Sequence, residues 1–517
     1  MPTFFPIIFV HGWGGPSDLY RDFGAADERD PYVGWNTGHR YNDPDGWIKF
    51  RNFAPNFEGL VLRLVKDFYY YDASNDELLE HRREFLKQTP PVSPPGPKDA
   101  ALVKTLWIFR YYEYNAQYLQ LSDEVKNTLK KELSDNGYNG PFAGIPYYAA
   151  LLAAQVQQIA RDECAINLMK EPDDAGDAEK LSGLNLGKVA LVGHSMGGLI
   201  SRFAIQYNLF GAAGNVARLM TLATPHGGSR WDSAASLLQF LPAMRDDDMR
   251  YFAPDWVKEN MGGKDPNGVV ADDTGGEKPQ WPLKLKNTDV FCLVGTRHAD
   301  FSKLASLPHT DGIVDQREAY LEGYPYAYAY NTHAGEYGIR ENHNGYQALR
   351  RFLFGDLYVQ LRLTDIKINE KYPRDESNVS KIIDNDKFFF EYYVKPRGIN
   401  VQLNEISERS ENQPRPRALA ELQTYLKVRP YIVYDGFADS TALVDHDARA
   451  VPGVAENMLN KPHLQLEHSS FRSALGVGAQ LVGSGYDMVP LIEGTTSVTI
   501  EDQTFTATIE VDVQKRK

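Results

Sequence analysis

The turn at Ser195 constrains the fold of this chain more than any other feature. Before it stands KVALVG (188–193), a short continuous apolar run that predicts a fully buried strand, and after it LISRFAIQY (199–207) predicts a helix. The residues in between, GHSMGG (193–198), place glycines two positions before and two positions after the serine. Only glycine leaves room for so tight a turn and tolerates its dihedral angles. We therefore predict a nucleophile elbow, with Ser195 at a helix N-terminus whose dipole favours developing negative charge.

Similar buried runs recur through the first 355 residues. Strands are predicted at 4–10, 216–223 and 289–295, and a helix with proline in its first turn is predicted at 145–159. Alternating strands and helices over this length predict a mostly parallel sheet with helices on both faces, an α/β fold.

The pattern changes after Gly355. Apolar and polar residues alternate at 359–364, as in a half-buried strand, and the same theme returns at 388–394 and, as a hairpin, at 495–513. A chain of 517 residues is also too long for one compact core. We therefore predict a catalytic domain at 1–355, with an insertion at about 75–140, and a separate sandwich-like β domain at 356–517.

Composition excludes some classes of partner. The formal net charge is −14, so no basic field is available to attract nucleic acid. Two cysteines do not make a disulfide framework, and no apolar stretch approaches the roughly 20 residues that span a bilayer. The N-terminal apolar run lacks the basic segment of a signal peptide, so a cytoplasmic location is expected, with signal-peptide-independent export as the alternative.

A serine nucleophile needs two backbone N–H donors for the oxyanion of its tetrahedral intermediate. Met196, directly after the serine, is one candidate donor. The second is expected in HGWGG (11–15), the glycine-rich loop after the first strand, and Trp13 is our choice there. His11 is interpreted as a structural residue of that loop, and Gly12 lets the loop lie close to the substrate.

The acid and the base of a triad on this type of sheet follow the nucleophile in that order. TDGIVD (310–315) offers Asp311 as the acid, with Asp315 as the alternative. His343, just ahead of a predicted closing helix at 345–354, is favoured as the base, and His333 is the alternative. His226, in TPHGG, is interpreted as a structural or site-lining residue, as is His194 beside the serine.

Taken together, HGWGG, GHSMGG, TPHG and DGIV resemble the bacterial lipases and esterases of the α/β-hydrolase fold, a group that includes GPI inositol-deacylase-like hydrolases. The resemblance covers about residues 1–355 and implies a triad of Ser195, Asp311 and His343. No cofactor is expected. Some members of the group keep a structural calcium near the catalytic histidine, and such a calcium stays the alternative here, although the sequence shows no clear ligand set for it. The β domain resembles no family that we can name.

An amphipathic stretch at 231–250 lies where such enzymes carry a lid, within a predicted cap at about 229–288; a plain packing helix is the alternative. The expected activity is therefore hydrolysis of carboxylic esters, above all lipid esters, with transient contact to a membrane surface. An acyltransferase or amidase with the same triad, and a non-catalytic lipid- or partner-binding protein that docks through its β domain, remain alternatives.

Overall fold

A computed structural model describes most of the chain. The described residues are 4–12, 57–72, 104–109, 123–160, 187–229, 250–264, 285, 288–297, 309–334, 337–368, 387–396, 401–407, 410, 417–428, 430–440, 462–473, 480–501 and 505–516. The chain divides into two compact units. The first unit comprises residues 1–324 and 331–346, and the second comprises residues 325–330 and 347–517.

Six parallel strands form the sheet of the first unit. In chain order they are β1 (Ile7–Val10), β2 (Tyr71–Asp72), β3 (Thr105–Phe109), β4 (Val189–His194), β5 (Val216–Leu222) and β6 (Asp289–Gly295). Their order across the sheet is β2-β3-β1-β4-β5-β6, and every pairing among them is parallel. β1 and β4 are buried along their whole length, which explains their uninterrupted apolar sequences.

Helices of the first unit connect and cover these strands. They are α1 (Glu58–Phe68), α2 (Asp123–Asp135), α3 (Gly144–Ala160), α4 (Met196–Gln206), α5 (Ala212–Asn215) and α6 (Pro254–Met261), followed by α7 (His343–Phe354), which begins in this unit. Every residue of α4 is buried, and α3 carries no charged residue over its 17 positions. These two helices therefore belong to the core, and the predicted α/β architecture is confirmed.

The second unit contains two antiparallel sheets of four strands. The first sheet has the order β10 (Asn404–Ile406), β9 (Lys387–Pro396), β12 (His463–Ser473) and β13 (Gln480–Pro490). The second has the order β11 (Tyr431–Ala438), β8 (Leu357–Ile368), β15 (Phe505–Lys515) and β14 (Gly494–Glu501). β14 and β15 pair as the predicted hairpin.

One apolar core joins the two sheets of the second unit. Buried side chains alternate with partly exposed ones along β15, and the inward members meet those of β8, β9 and β12 in a single cluster. Leu422 and Leu426 of α8 (Leu419–Val428) belong to the same cluster. The short strand β7 (Tyr326–Ala329) is anchored in this unit, because the Tyr328 N–H donates to Asn404 Oδ1 at 2.7 Å.

Three details of organisation differ from the sequence analysis. The two units meet at residue 346/347 instead of 355/356, and β7 is counted with the second unit. Within the segment 75–140, interpreted as an insertion, β3 pairs with both β1 and β2 and is thus a strand of the sheet. The amphipathic stretch 231–249 and most of the predicted cap lie outside the described residues. Among the described residues, no helix is long and apolar enough to cross a membrane.

Candidate active site

Ser195 occupies a strained turn between β4 and α4. Its backbone angles are φ 52° and ψ −124°, a conformation that is rare for a residue with a side chain. The Ser195 N–H donates to the carbonyl oxygen of Leu222 at 3.0 Å, which ties the turn to the end of β5. Strain of this kind persists only where the surrounding structure enforces it, and it is common at catalytic residues.

Glycines create the space that this turn needs. A Cβ atom on Gly193 would lie 2.6 Å from the Cα of Gly198, and one on Gly197 would lie 2.1 Å from the carbonyl oxygen of Val10. Neither neighbour is a flexible side chain, so no larger residue fits without moving the backbone. The prediction that only glycine fits at positions 193 and 197 is therefore confirmed. At Gly197 the turn packs directly against the end of β1.

Gly12 brings the loop after β1 against the nucleophile. A Cβ atom at this position would lie 2.9 Å from Ser195 Cβ and 2.7 Å from His194 Nδ1. His11 is fully buried, and its Nδ1–H donates to the carbonyl oxygen of Gly12 at 2.8 Å, so it stiffens the loop as expected. Trp13 lies outside the described residues. Met196 is the first residue of α4, where backbone N–H groups have no intrahelical acceptor, which suits the second oxyanion donor.

Asp311 lies in a turn that follows β6 and holds its carboxylate rigidly. Oδ1 accepts the backbone N–H groups of Ile313 and Val314 at 3.0 and 2.8 Å. Gly295, the last residue of β6, makes room for this turn, because a Cβ atom there would lie 2.8 Å from Asp311 Cβ. The sequence DGIV thus positions an aspartate whose other oxygen is left for a partner. Asp315, the alternative acid, instead caps a short 3₁₀ helix and pairs with Arg317 at 2.8 Å.

His333 is the histidine that the structure brings to Asp311. Its Nδ1 lies 2.8 Å from Asp311 Oδ2, its backbone N–H donates to the Asp311 carbonyl oxygen at 2.9 Å, and both side chains are buried. His343, favoured in the sequence analysis, is exposed at the start of α7. The positional argument for His343 rested on the closing helix, whereas the loop 331–334 that carries His333 returns to the end of β6. The geometry therefore favours His333, the alternative, for the partner of Asp311.

His194 connects His333 to the elbow. Its Nε2 lies 2.9 Å from the carbonyl oxygen of His333, and the two imidazole rings lie 4.7 Å apart between their centroids. Burial lowers the pKa of His194 well below its usual value, and the nearby Arg340 guanidinium lowers it further. A neutral His194 that donates from Nε2 to a carbonyl oxygen has an unprotonated Nδ1, which faces Gly12.

His226 and Arg202 form a second buried polar group behind the elbow. His226 Nε2 lies 3.0 Å from Thr221 Oγ1 and 3.8 Å from the sulfur of Cys292, a free cysteine. The Arg202 guanidinium donates to the carbonyl oxygens of His226, Met261 and Gly263. Burial lowers the pKa of Arg202 to about 9 and, as the main cause, lowers the pKa of His226 well below its usual value. These contacts give His226 a structural role.

Sequence reasoning missed Glu341, which connects the segment after the His333 loop to the start of α1. The Glu341 carboxylate accepts the backbone N–H groups of Phe57 and Gly59 at 2.6 and 2.8 Å, at the start of α1. A negative charge at a helix N-terminus is favourable, since the first N–H groups have no partner within the helix. No local pattern signals a cap supplied from about 280 positions along the chain, so only the folded structure reveals it.

One known family model matches part of the first unit. Residues 180–254 match a family model described as the PGAP1-like alpha/beta domain. This match contains β4, the elbow, α4 and β5. The first unit has the α/β-hydrolase fold. The antiparallel sheets of the second unit lie outside the matched residues.

Solved structures with similar topology include three bacterial proteins. Phospholipase PlaB from Legionella pneumophila is 11% identical over 92% of this chain and 91% of its own, with a TM-score of 0.31. Lipase BlEst2 from Bacillus licheniformis in its propeptide form is 12% identical over 71% and 90%, with a TM-score of 0.25. The lin2722 product of Listeria innocua is 12% identical over 72% and 96%, with a TM-score of 0.26. These values are too low to transfer site residues or function. No curated protein matches the chain.

Within the described part of the chain, no group of three or more histidine, cysteine, aspartate or glutamate side chains has a geometry that could hold a metal ion. Asp311 and His333 are occupied by each other. An imidazole paired with a carboxylate in this way is suited to acid–base chemistry.

Proposed function

We propose that this protein is a serine hydrolase that cleaves carboxylic esters, with lipid esters as its substrate class. The observation that carries the proposal is the buried Asp311–His333 pair, held through His194 beside a strained Ser195. Nucleophile, imidazole and carboxylate are the three groups that acyl transfer requires. The preference for lipid esters rests on the amphipathic segment 231–250, which has the composition of a lid.

Hydrogen bonding assigns the proton positions for this chemistry. A carboxylate only accepts hydrogen bonds, so His333 Nδ1 carries a proton and its N–H donates a hydrogen bond to Asp311 Oδ2. His333 Nε2 then holds the lone pair that receives a proton from the Ser195 hydroxyl. Asp311 keeps this tautomer and stabilises the imidazolium that forms, while its Oδ1 stays bound to the two backbone N–H groups.

The reaction then proceeds in two halves. Ser195 Oγ attacks the ester carbonyl carbon and its proton passes to His333 Nε2, which delivers it to the departing alkoxide as an alcohol. The oxyanion is stabilised by the Met196 N–H and by an N–H of the loop that follows β1. Water, deprotonated by His333, attacks the acyl-enzyme, and the carboxylic acid leaves as Ser195 recovers its proton.

The test is hydrolysis of p-nitrophenyl esters of graded chain length by the wild type and by Ser195→Ala. We expect Ser195→Ala to lose about 10⁴-fold or more in kcat/KM, and an alkyl fluorophosphonate to label Ser195 in the wild type only. Ser134→Ala, the same change at an exposed position of α2, serves as the matched control and retains full activity. Full activity of Ser195→Ala would contradict the proposal. Turnover restricted to short acyl chains would contradict the lipid class alone.

A further inference from the structure

We propose that His194 is a positioning residue, whose Nε2–H bond to the His333 backbone carbonyl fixes the catalytic imidazole against the nucleophile elbow. This inference rests on the proposed function and deepens it, because it concerns how the acid–base pair is brought to Ser195. The three groups come from separate parts of the chain. Ser195 follows β4, Asp311 follows β6, and His333 lies in the loop 331–334. Contacts between these segments must therefore fix the relative positions of the three side chains.

His333 is held by hydrogen bonds from two parts of the first unit. Both of its hydrogen bonds to Asp311, from the backbone N–H and from Nδ1, tie it to the turn after β6. The bond from His194 Nε2 to the His333 carbonyl oxygen, 2.9 Å long, ties the same residue to β4. Because His194 is directly bonded to Ser195 in the chain, this contact places acid, base and nucleophile in one rigid frame.

The surroundings of His194 fix its ring in turn. The imidazole is 2% exposed and packs edge-on against Phe57, with ring centroids 6.4 Å apart. Gly12 approaches it so closely that a Cβ atom there would lie 2.7 Å from Nδ1. A side chain held on both sides has little freedom to release its hydrogen bond.

The protonation state of His194 also suits a positioning role. Burial disfavours its charged form, and the nearby Arg340 guanidinium disfavours it further, so its pKa lies well below the usual value. A neutral His194 does not repel the imidazolium that forms on His333, only 4.7 Å away between ring centroids. The positive charge that develops during the reaction is therefore carried by His333 and not by His194.

Substitutions at His194 separate the hydrogen bond from simple space filling. Glutamine can present an amide N–H where His194 Nε2 lies, whereas asparagine is too short and leucine has no donor. We expect His194→Leu to lower kcat about 100-fold with KM changed less than threefold, and His194→Gln to recover to within about tenfold of wild type. If His194→Leu does not fold, as judged by circular dichroism, the comparison is His194→Gln against His194→Asn, with glutamine about tenfold more active.

A double-mutant cycle tests whether His194 acts through His333. In a His333→Ala background the bond from residue 194 no longer orients a base, so His194→Leu should cause less than a twofold further loss. The readout is ester hydrolysis at high enzyme concentration, with a p-nitrophenyl ester. Equal losses in both backgrounds, a kcat for His194→Leu within threefold of wild type, or a glutamine variant no better than leucine or asparagine would each overturn the proposal.

A measurement without catalysis distinguishes this inference from the proposed function. In protein labelled with ¹⁵N histidine, we expect His194 to stay neutral, with its proton on Nε2, down to a pH well below 6.5. His194→Gln identifies its signals by their loss. A protonated His194 at pH 6, or a proton on Nδ1, overturns the positioning role even if esters are hydrolysed. Absence of ester hydrolysis with the expected His194 spectrum contradicts only the proposed activity.

Discussion

The two units of this chain differ in how buried side chains are arranged along their strands. In the first unit two buried polar side chains lie where parallel strands end, with His194 closing β4 and Asp311 in the turn that follows β6. In the second unit burial follows the two-residue period of antiparallel strands, so that β15 alternates inward and outward along its length. The carboxyl edge of a parallel sheet collects loops from distant segments, whereas an antiparallel sandwich mainly repeats one pattern. The first unit is therefore suited to chemistry and the second to a stable core.

The largest effect that can break this comparison concerns the choice of histidine. We expect His333→Ala to lower kcat/KM for a p-nitrophenyl ester by about 10³-fold or more, because the proton acceptor is lost. His343→Ala should stay within twofold of wild type, because this side chain is exposed at the start of α7. The two variants are matched in chemistry and differ only in position. If His343→Ala is the inactive one, the Asp311–His333 pair is structural and the site has been misassigned.

This pair of histidines also shows how far the sequence leads. The glycine-flanked turn at Ser195 and the alternating strands are local patterns, so the strained turn and both fold classes could be predicted from the residues alone. The partner of Asp311 could not, because it depends on where the loop 331–334 lies after folding. In the sequence, His343 stands directly ahead of a predicted helix, and this position favoured it over His333. No local pattern distinguishes the two histidines decisively. Glu341 at the start of α1 and His194 on the His333 carbonyl are likewise contacts between remote segments.

An intermediate effect sharpens the contrast between the two units. Leu361 of β8 is fully buried in the core of the second unit, so Leu361→Ala should reduce the free energy of unfolding by about 2–5 kcal/mol. Val428→Ala, at an exposed position, should change it by less than about 0.5 kcal/mol. Hydrogen exchange reports each region, and we expect faster exchange in β8 and β15, with unchanged protection of β4 and unchanged kcat/KM. Equal loss of protection in β4 would mean that the two units unfold as one.

The smallest expected effect is a pH dependence that arises from the polar group behind the elbow. The folded-state pKa of His226 lies well below its usual value, mainly through burial and also through Arg202. Below about pH 6.5 the unfolded chain therefore binds a proton at this residue that the folded chain does not bind. The resulting stability is present above pH 6.5 and is lost as the pH falls below it, by up to about 1.4 kcal/mol per pH unit.

His226→Gln removes this titration while keeping an amide N–H near Thr221 Oγ1. Urea unfolding at pH 7.5, 6.0 and 5.0 should show the free energy of unfolding falling less steeply for the variant than for the wild type. Parallel slopes for wild type and His226→Gln would show that His226 gains its proton without unfolding. The polar group around His226 and Arg202 would then be accessible to solvent in the folded protein.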